Sequence, residues 1–308
     1  HLWGKGTRET DTLIKEEFGN PDIQTAVIGQ AGENQVLYAC INFSRYNFAS
    51  RGGIGAVMGA KKLKAIAVRG TYGIKPEKDT QFLDLSLQIR KAIGKDDTAN
   101  GLHLYGTAGF VPVLNEMGLL PTKNFSKGSI EGAERLGGDY LDNKGYLTGR
   151  KSCHSCPVAC HRYVRSTSEK YGDVDDAGPE LEAVMSLGAE CGTTEIEAVL
   201  KANQLCNDFG MDVVSAGHTI SWAMEVYEKG ILDKNKTDGL DLTFGNCSVE
   251  LELLHRIAHR EGWFGSLLAD GTKKASEIIG GESWKWAIQS KGLEQSACDT
   301  RVAKGYAL

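Results

Sequence analysis

Between Lys64 and Ile93 the chain reads KAIAVRGTYGIKPEKDTQFLDLSLQIRKAI, and its hydrophobic period changes inside that stretch. Lys64-Ala65-Ile66-Ala67-Val68 is short, apolar and partly β-branched, which predicts a strand. From about residue 78, Leu83, Leu85, Leu87, Ile89 and Ile93 mix with charges in a helical pattern. Upstream, Ala26-Val27-Ile28-Gly29 and Val36-Leu37-Tyr38-Ala39-Cys40-Ile41 repeat the strand-like pattern between glycine turns. Downstream, Thr194-Glu195-Ile196-Glu197 reads as a capping box opening a helix that stops at Gly210. Further helices are expected over about 213–229, 248–261 and 264–279. The fold class is therefore α+β: a β-rich part over 1–75 followed by a mainly helical part over 76–308.

Composition narrows the function. With 308 residues, 41% hydrophobic and 24% charged, the chain is a soluble globular protein of about two domains. It is too apolar for disorder at its modest charge. No run approaches the roughly 18–20 apolar residues of a membrane helix. A formal charge of −5 argues against nucleic acid as the main partner. The chain opens His1-Leu2-Trp3-Gly4, with no initiator Met and no apolar leader, and Val302–Leu308 carries no terminal signature. It reads as an internal piece of a longer polypeptide. Eight cysteines are too few for a disulfide scaffold, and three of them crowd into 153–160. That clustering points to metal ligation in a reducing cytoplasm.

Cys153-His154-Ser155-Cys156-Pro157-Val158-Ala159-Cys160 is a C-x2-C-x3-C arrangement, which aims three thiolates from one loop at a common point. A 4Fe–4S cluster with a distant fourth ligand is one reading. Zinc on the three cysteines with His154 or His161 is the other. The radical-SAM spacing is the reverse and does not match. Arg51-Gly52-Gly53-Ile54-Gly55-Ala56-Val57-Met58-Gly59-Ala60-Lys61 suits a loop whose amides approach phosphate, or glycine-rich packing. It fits neither the P-loop nor the dinucleotide fingerprint. Gly178-Pro179-Glu180-Leu181-Glu182, after Asp173, Asp175 and Asp176, can hold a carboxylate firmly for proton transfer, or simply open an exposed helix. Cys206-Asn207-Asp208-Phe209-Gly210-Met211-Asp212 is a helix end and an acidic turn.

In combination these landmarks resemble the tungsten-dependent aldehyde:ferredoxin oxidoreductase family along the whole chain. Leu120-Pro121-Thr122-Lys123-Asn124-Phe125 and Gly239-Leu240-Asp241-Leu242, with Gly245-Asn246, also match in family order. The resemblance favours iron–sulfur over zinc at the cysteine loop. It implies a tungsten bis-pterin cofactor beside one 4Fe–4S cluster, with Mg2+ bridging pterin phosphates. It implies oxidation of an aldehyde to a carboxylate, or the reverse, with electrons passed to ferredoxin or a dedicated electron-transfer subunit. Relatives also include the active-site subunit of a benzoyl-CoA reductase, and a homodimer or larger hetero-oligomer is expected.

Carried over by motif, Cys153, Cys156 and Cys160 become cluster ligands. Arg51, Gly52, Gly53 and Gly55 become the pterin phosphate and magnesium site, with the Gly52–Gly59 amides facing the phosphate. Asn207, Asp208, Gly210, Met211 and Asp212 become a pterin-binding turn, and Glu180 and Glu182 the catalytic carboxylates. On this reading residues 1–75 end a β-rich cofactor domain that begins before residue 1. Residues 76–308 form a helical domain that continues past 308, where the fourth cluster cysteine and an active-site histidine are expected. The family turn has Asp and Leu where Asn207 and Met211 stand here, changes that preserve hydrogen bonding and volume. Cys191 is expected as a small buried residue rather than a tungsten ligand. An iron–sulfur relay without pterin and a zinc-stapled scaffold are the rival classes. A nicotinamide dehydrogenase is disfavoured by the glycine spacing.

Overall fold

The computed structural model describes residues 1–301 and 305; the rest of Val302–Leu308 lies outside the described residues. In chain order the elements are α1 (Thr7–Glu17), β1 (Gln24–Val27), α2 (Gln30–Glu33), β2 (Ile41–Phe43), β3 (Asn47–Ala49), α3 (Ile54–Ala60) and β4 (Ala65–Val68). There follow α4 (Asp79–Ile93), α5 (Asp97–Tyr105), α6 (Val111–Glu116), α7 (Gly138–Asn143), β5 (Leu147–Lys151), β6 (His161–Ser166), β7 (Val174–Ala177) and α8 (Leu181–Val184). The last group is α9 (Ile196–Phe209), α10 (Val213–Glu228), α11 (Cys247–His259), α12 (Gly262–Leu268), α13 (Gly271–Ile279), β8 (Gln289–Ser290) and β9 (Leu293–Glu294).

Two antiparallel sheets frame the site. The first has the order β3-β2-β1-β4, with Ala26 opposite Phe43 and Ile66, and the second has β5-β6-β7, with Tyr163 opposite Ala177. The helical mass is centred on α10, in which every residue from Val214 to Val226 is buried. Such a helix can only be surrounded by others. Gly217 lets it approach the π-helical turn Met185–Ala189, because a Cβ there would stand 2.4 Å from the Ser186 carbonyl oxygen.

The fold is α+β, but four local expectations need correction. Val36–Cys40 is not a strand. It wedges into the core, where the Cys40 amide donates to the Gly210 carbonyl (2.8 Å) and Asp212 to that of Tyr38 (3.0 Å), so its partner is the 210–212 turn rather than a sheet. The glycine-rich run is mostly helix, α3, and not a loop. Gly55 and Gly59 are needed because a Cβ at either would fall 2.4 and 1.8 Å from the carbonyl oxygens of Cys40 and Gly32. The capping box does not form, because the Glu197 carboxylate accepts from the Tyr146 hydroxyl (2.6 Å) and Glu195 becomes the N-cap of α9. The helix expected over 264–279 is two, broken before Gly271, whose φ of +79 cannot continue a helix.

Candidate functional site

The cysteine loop joins β5 to β6 and forms no disulfide; Cys153 is exposed, Cys156 and Cys160 half-buried. The Cys156 amide donates to the Cys153 carbonyl (3.0 Å), and Ser155 and Ala159 take left-handed backbone to turn the loop. Its anchor is Arg162, a residue that motif reading does not reveal. Only 1% exposed, this guanidinium donates to the carbonyls of Ala159 (2.6 Å) and Cys160 (3.2 Å) on the loop. It also donates to Leu102 (3.3 Å), His103 (2.9 Å) and Leu104 (3.0 Å) at the end of α5. It makes no salt bridge among the described residues. His103 adds a contact from Nδ1 to the Val158 carbonyl (2.7 Å). The Leu102 carbonyl also accepts from the Gly106 amide (2.9 Å), and the last carbonyls of a helix carry negative partial charge, so a cation is well placed there.

Beside this loop lies a cleft of about 370 Å3. Asn47 and Ser50 line it from the end of the first sheet, with Cys160 and His161, Glu180 and Glu182, and Asn207 and Met211. Glu180 is the N-cap residue of α8, and its Oε2 accepts from the Thr107 hydroxyl (2.6 Å). That hydroxyl in turn accepts from the Leu181 amide (2.9 Å), so Thr107 fixes both the carboxylate and the start of the helix. Burial pushes the Cys160 thiol up, and the Glu180 charge and the other two thiols push it further. Glu182 faces the segment after β9, accepting from the Ala297 amide at 2.9 Å.

The 206–212 stretch is more committed to the fold than its motif suggests. Asn207 and Asp208 are the last turn of α9, and Gly210 is its left-handed C-cap. The Asn207 amide group donates to Asp176 (2.9 Å), whose carboxyl burial pushes up to about 6. A second carboxylate at 207 would raise it further. The Asp208 carboxylate accepts from the Arg8 amide (3.2 Å) at the start of α1 and lines a separate cavity of about 270 Å3 with Arg8, Arg45 and Lys201. Asp212 caps α10 through the Val214 and Ser215 amides and pairs with Arg51 at 3.3 Å.

Arg51 thus reaches Asp212 and the Glu294 carbonyl. Gly52 and Gly53 do not line the cleft; they border a shallow depression with Leu37, Val57 and Arg260. Gly53 is held there by φ +71 and by the Leu37 carbonyl, 2.1 Å from where a Cβ would be, whereas Gly52, at φ +92, faces open space. Cys191 is fully buried, its sulfur 3.4 Å from the Ser186 carbonyl oxygen, and burial holds its thiol well above the usual range. It packs as a small apolar residue.

Three thiols free of disulfides on one anchored loop are a donor set suited to an iron–sulfur cluster. The ligand atoms of the three are not all within 4.8 Å of one another. The cleft is at the small end of ligand sites, so a two-pterin cofactor would extend beyond it.

Comparison with known proteins supplies the class. Residues 1–70 match the family model of the aldehyde ferredoxin oxidoreductase N-terminal domain, and residues 84–308 that of domains 2 and 3. The chain belongs to the aldehyde ferredoxin oxidoreductase family. It is 39% identical over 313 residues to the tungsten-containing aldehyde ferredoxin oxidoreductase of Pyrococcus furiosus and 38% to that of Pyrococcus abyssi, covering 100% of this chain and 50% of each relative. It is 30% identical to the WOR-like subunit of an aliphatic sulfonate oxidoreductase of Pyrococcus furiosus, covering 99% and 51%. Among solved structures it resembles the active site complex BamBC of benzoyl coenzyme A reductase bound to 1,5 dienoyl-CoA. The TM-score is 0.79 at 30% identity, covering 97% of this chain and 46% of that one. The chain spans about half the length of the curated relatives it matches. No described helix is long and apolar enough to cross a membrane.

Proposed function

We propose that this chain is part of a cytoplasmic tungsten bis-pterin oxidoreductase that converts an aldehyde to a carboxylate, or the reverse. Electrons pass through a 4Fe–4S cluster on Cys153, Cys156 and Cys160 to ferredoxin or a dedicated electron-transfer subunit, within a homodimer or larger hetero-oligomer. The observation that carries this reading is the cleft, in which Cys160 meets Glu180, Glu182, Asn207 and Met211. A proposed cluster ligand, two carboxylates and the proposed cofactor turn on one cleft are what a coupled electron and proton transfer requires.

When bound, the metal and pterins would supply two-electron redox chemistry, and a cluster held by Cys153, Cys156 and Cys160 would supply one-electron transfer. The chain's own residues do the rest. Arg162 holds the ligand loop against α5. Thr107 orients Glu180 with one oxygen engaged, leaving the other to accept or return a proton at the cleft. Glu182, held by the Ala297 amide, is the second proton-handling carboxylate. Arg51 and Gly52 are assigned to a pterin phosphate and its Mg2+, Gly52 being the position open to close approach, while Gly53 and Gly55 shape that segment by packing on the Leu37 and Cys40 carbonyls. Asn207, Gly210 and Met211 form the pterin turn, which Asp208 and Asp212 support by fixing the starts of α1 and α10.

The likeness to the benzoyl coenzyme A reductase complex favours a second reading, the active-site subunit of a related tungsten enzyme. One experiment addresses both. The full-length protein, purified anaerobically, is analysed for metals and assayed with aldehydes and with aromatic acyl-CoA thioesters. Tungsten with about four irons per chain and aldehyde-dependent ferredoxin reduction is the expected result. Activity only with the thioester selects the second reading. Iron without tungsten reduces the protein to a relay, and zinc alone to a scaffold.

A further inference from the structure

Helix α11 ends in a cluster of side chains that the cleft does not use. His255 and His259 stand four residues apart, so their rings leave one face of the helix, and they stack with centroids 4.4 Å apart. The chain then turns at Arg260, in left-handed backbone at φ 51. The turn returns Glu261 to the helix end, where its amide donates to the Arg256 carbonyl at 2.8 Å. One ligand atom each from His255, His259 and Glu261 lies within 4.8 Å of the other two, and no other His, Cys, Asp or Glu trio among the described residues does so.

Three further observations distinguish this trio from chance polar neighbours. The first is tautomeric. His259 Nδ1 lies 2.9 Å from the His255 carbonyl oxygen. A carbonyl only accepts, so Nδ1 carries the proton and the neutral ring keeps its lone pair on Nε2, as in histidines that ligate metals. The second is preorganisation of the turn. Left-handed backbone is costly for arginine, but Arg260 is held by hydrogen bonds to the carbonyls of Asn34 (2.8 Å), Gln35 (2.8 Å) and Ser266 (3.1 Å), and by Asp270 (2.7 Å). Those bonds fix where Glu261 starts, and the Asp270 pair offsets the nearby positive charge. The third is support from behind, because the Phe209 ring meets both imidazoles edge to face, at 5.7 and 5.2 Å.

Two imidazoles and a carboxylate are a ligand set of borderline hardness, suited to zinc and its neighbours rather than to calcium or magnesium. Histidines at i and i+4 are spaced to share one such ion. We propose that His255, His259 and Glu261 form a second metal site, separate from the cysteine loop, for a divalent transition-metal ion of the Zn2+ class with solvent completing its coordination. The bound ion ties the end of α11 to the turn after it. Because it favours the folded state, it raises stability with free metal concentration.

The probe is Co2+, titrated anaerobically into the full-length protein with its own metals in place. One further equivalent binds, with ligand-field bands typical of nitrogen and oxygen donors and no thiolate-to-cobalt charge transfer, and the thermal midpoint rises with it. His255→Ala and His259→Ala each abolish that equivalent, and Glu261→Gln weakens it by at least about tenfold. His255 and Glu261 are exposed and His259 partly so, so the circular dichroism of these variants stays that of the parent. Cobalt bound only with thiolate charge transfer, or an equivalent that survives His259→Ala, overturns the proposal. Neither result bears on tungsten or iron content, so this test stands apart from that of the oxidoreductase reading.

Discussion

Arg162→Lys keeps the buried charge and removes the fork that carries it. Arg162 donates to five carbonyls, those of Leu102, His103, Leu104, Ala159 and Cys160. An ammonium has three N–H groups, set on a single nitrogen. At least two of these bonds are therefore lost, and a hydrogen bond to a charged group is worth about 1.5–3 kcal/mol. The chain of α5 carbonyls is at a helix end, where the loop can shift and water can enter, so the low end applies. The expected loss is about 3 kcal/mol. For a chain of this size that lowers the thermal midpoint by roughly 5 °C. The same substitution loosens the turn that presents Cys153, Cys156 and Cys160, so iron per chain falls in protein matured under identical anaerobic conditions. Thermal unfolding followed by circular dichroism, paired with iron analysis, reads both effects. A midpoint within about 1 °C of the parent together with full iron would refute the role given to Arg162.

Glu180→Gln keeps the Thr107 contact and removes the titratable oxygen; turnover should fall by roughly 10²–10⁴ with tungsten and iron contents unchanged. Parent-like turnover would shift the proton-handling role to Glu182. At the glycine pair the two positions should part company. Gly53→Ala meets the Leu37 carbonyl and should unfold or mispack the protein, whereas Gly52→Ala costs about 1–2 kcal/mol of backbone strain and should act on tungsten retention; equal soluble yield and midpoint for both would contradict the packing argument. Glu250 is wholly buried, and burial raises its carboxyl from the ordinary range to about 8. A raised folded-state pKa gives stability that is fully present below the unfolded value of 4.5 and is lost as pH rises toward about 8. Glu250→Gln should flatten that decline in urea midpoints, and an unchanged slope would show that Glu250 does not cause it.

Some of this was legible in the sequence because it depends on neighbours along the chain. The C-x2-C-x3-C loop, the ends of α9 and α10 at Gly210 and Asp212, and the β1 and β4 strands are local in that sense. What the sequence hid depends on distant partners. Glycines at 53, 55 and 59 look alike for phosphate approach and for backbone packing, and only the carbonyls of Leu37, Cys40 and Gly32 distinguish them. Glu197 makes a sound capping box until the Tyr146 hydroxyl, from another turn of the fold, takes its carboxylate. Arg162 follows the cysteine loop directly, yet nothing local says that it will be buried on carbonyls rather than exposed. The His255–His259 spacing was a readable signal, whereas the return of Glu261 needed the left-handed turn at Arg260.

The docking of Val36–Cys40 into the helical core changes what it means to divide this molecule. Leu37 donates to the Ala269 carbonyl (2.9 Å), the Tyr38 hydroxyl to that of Leu268 (3.1 Å), and the Asn34 side chain to that of Ala258 (2.9 Å). Val36, Tyr38 and Ala39 belong to the same apolar cluster as Trp222, Leu253 and Phe264. The connecting residues 69–75, by contrast, are exposed throughout. Cohesion between the two parts therefore resides in side-chain burial and not in the peptide bonds that join them. A protease cutting in that connector would leave a nicked particle whose fragments stay associated. Each part made alone would present a raw hydrophobic face and precipitate, while two genes expressed together could rebuild the whole.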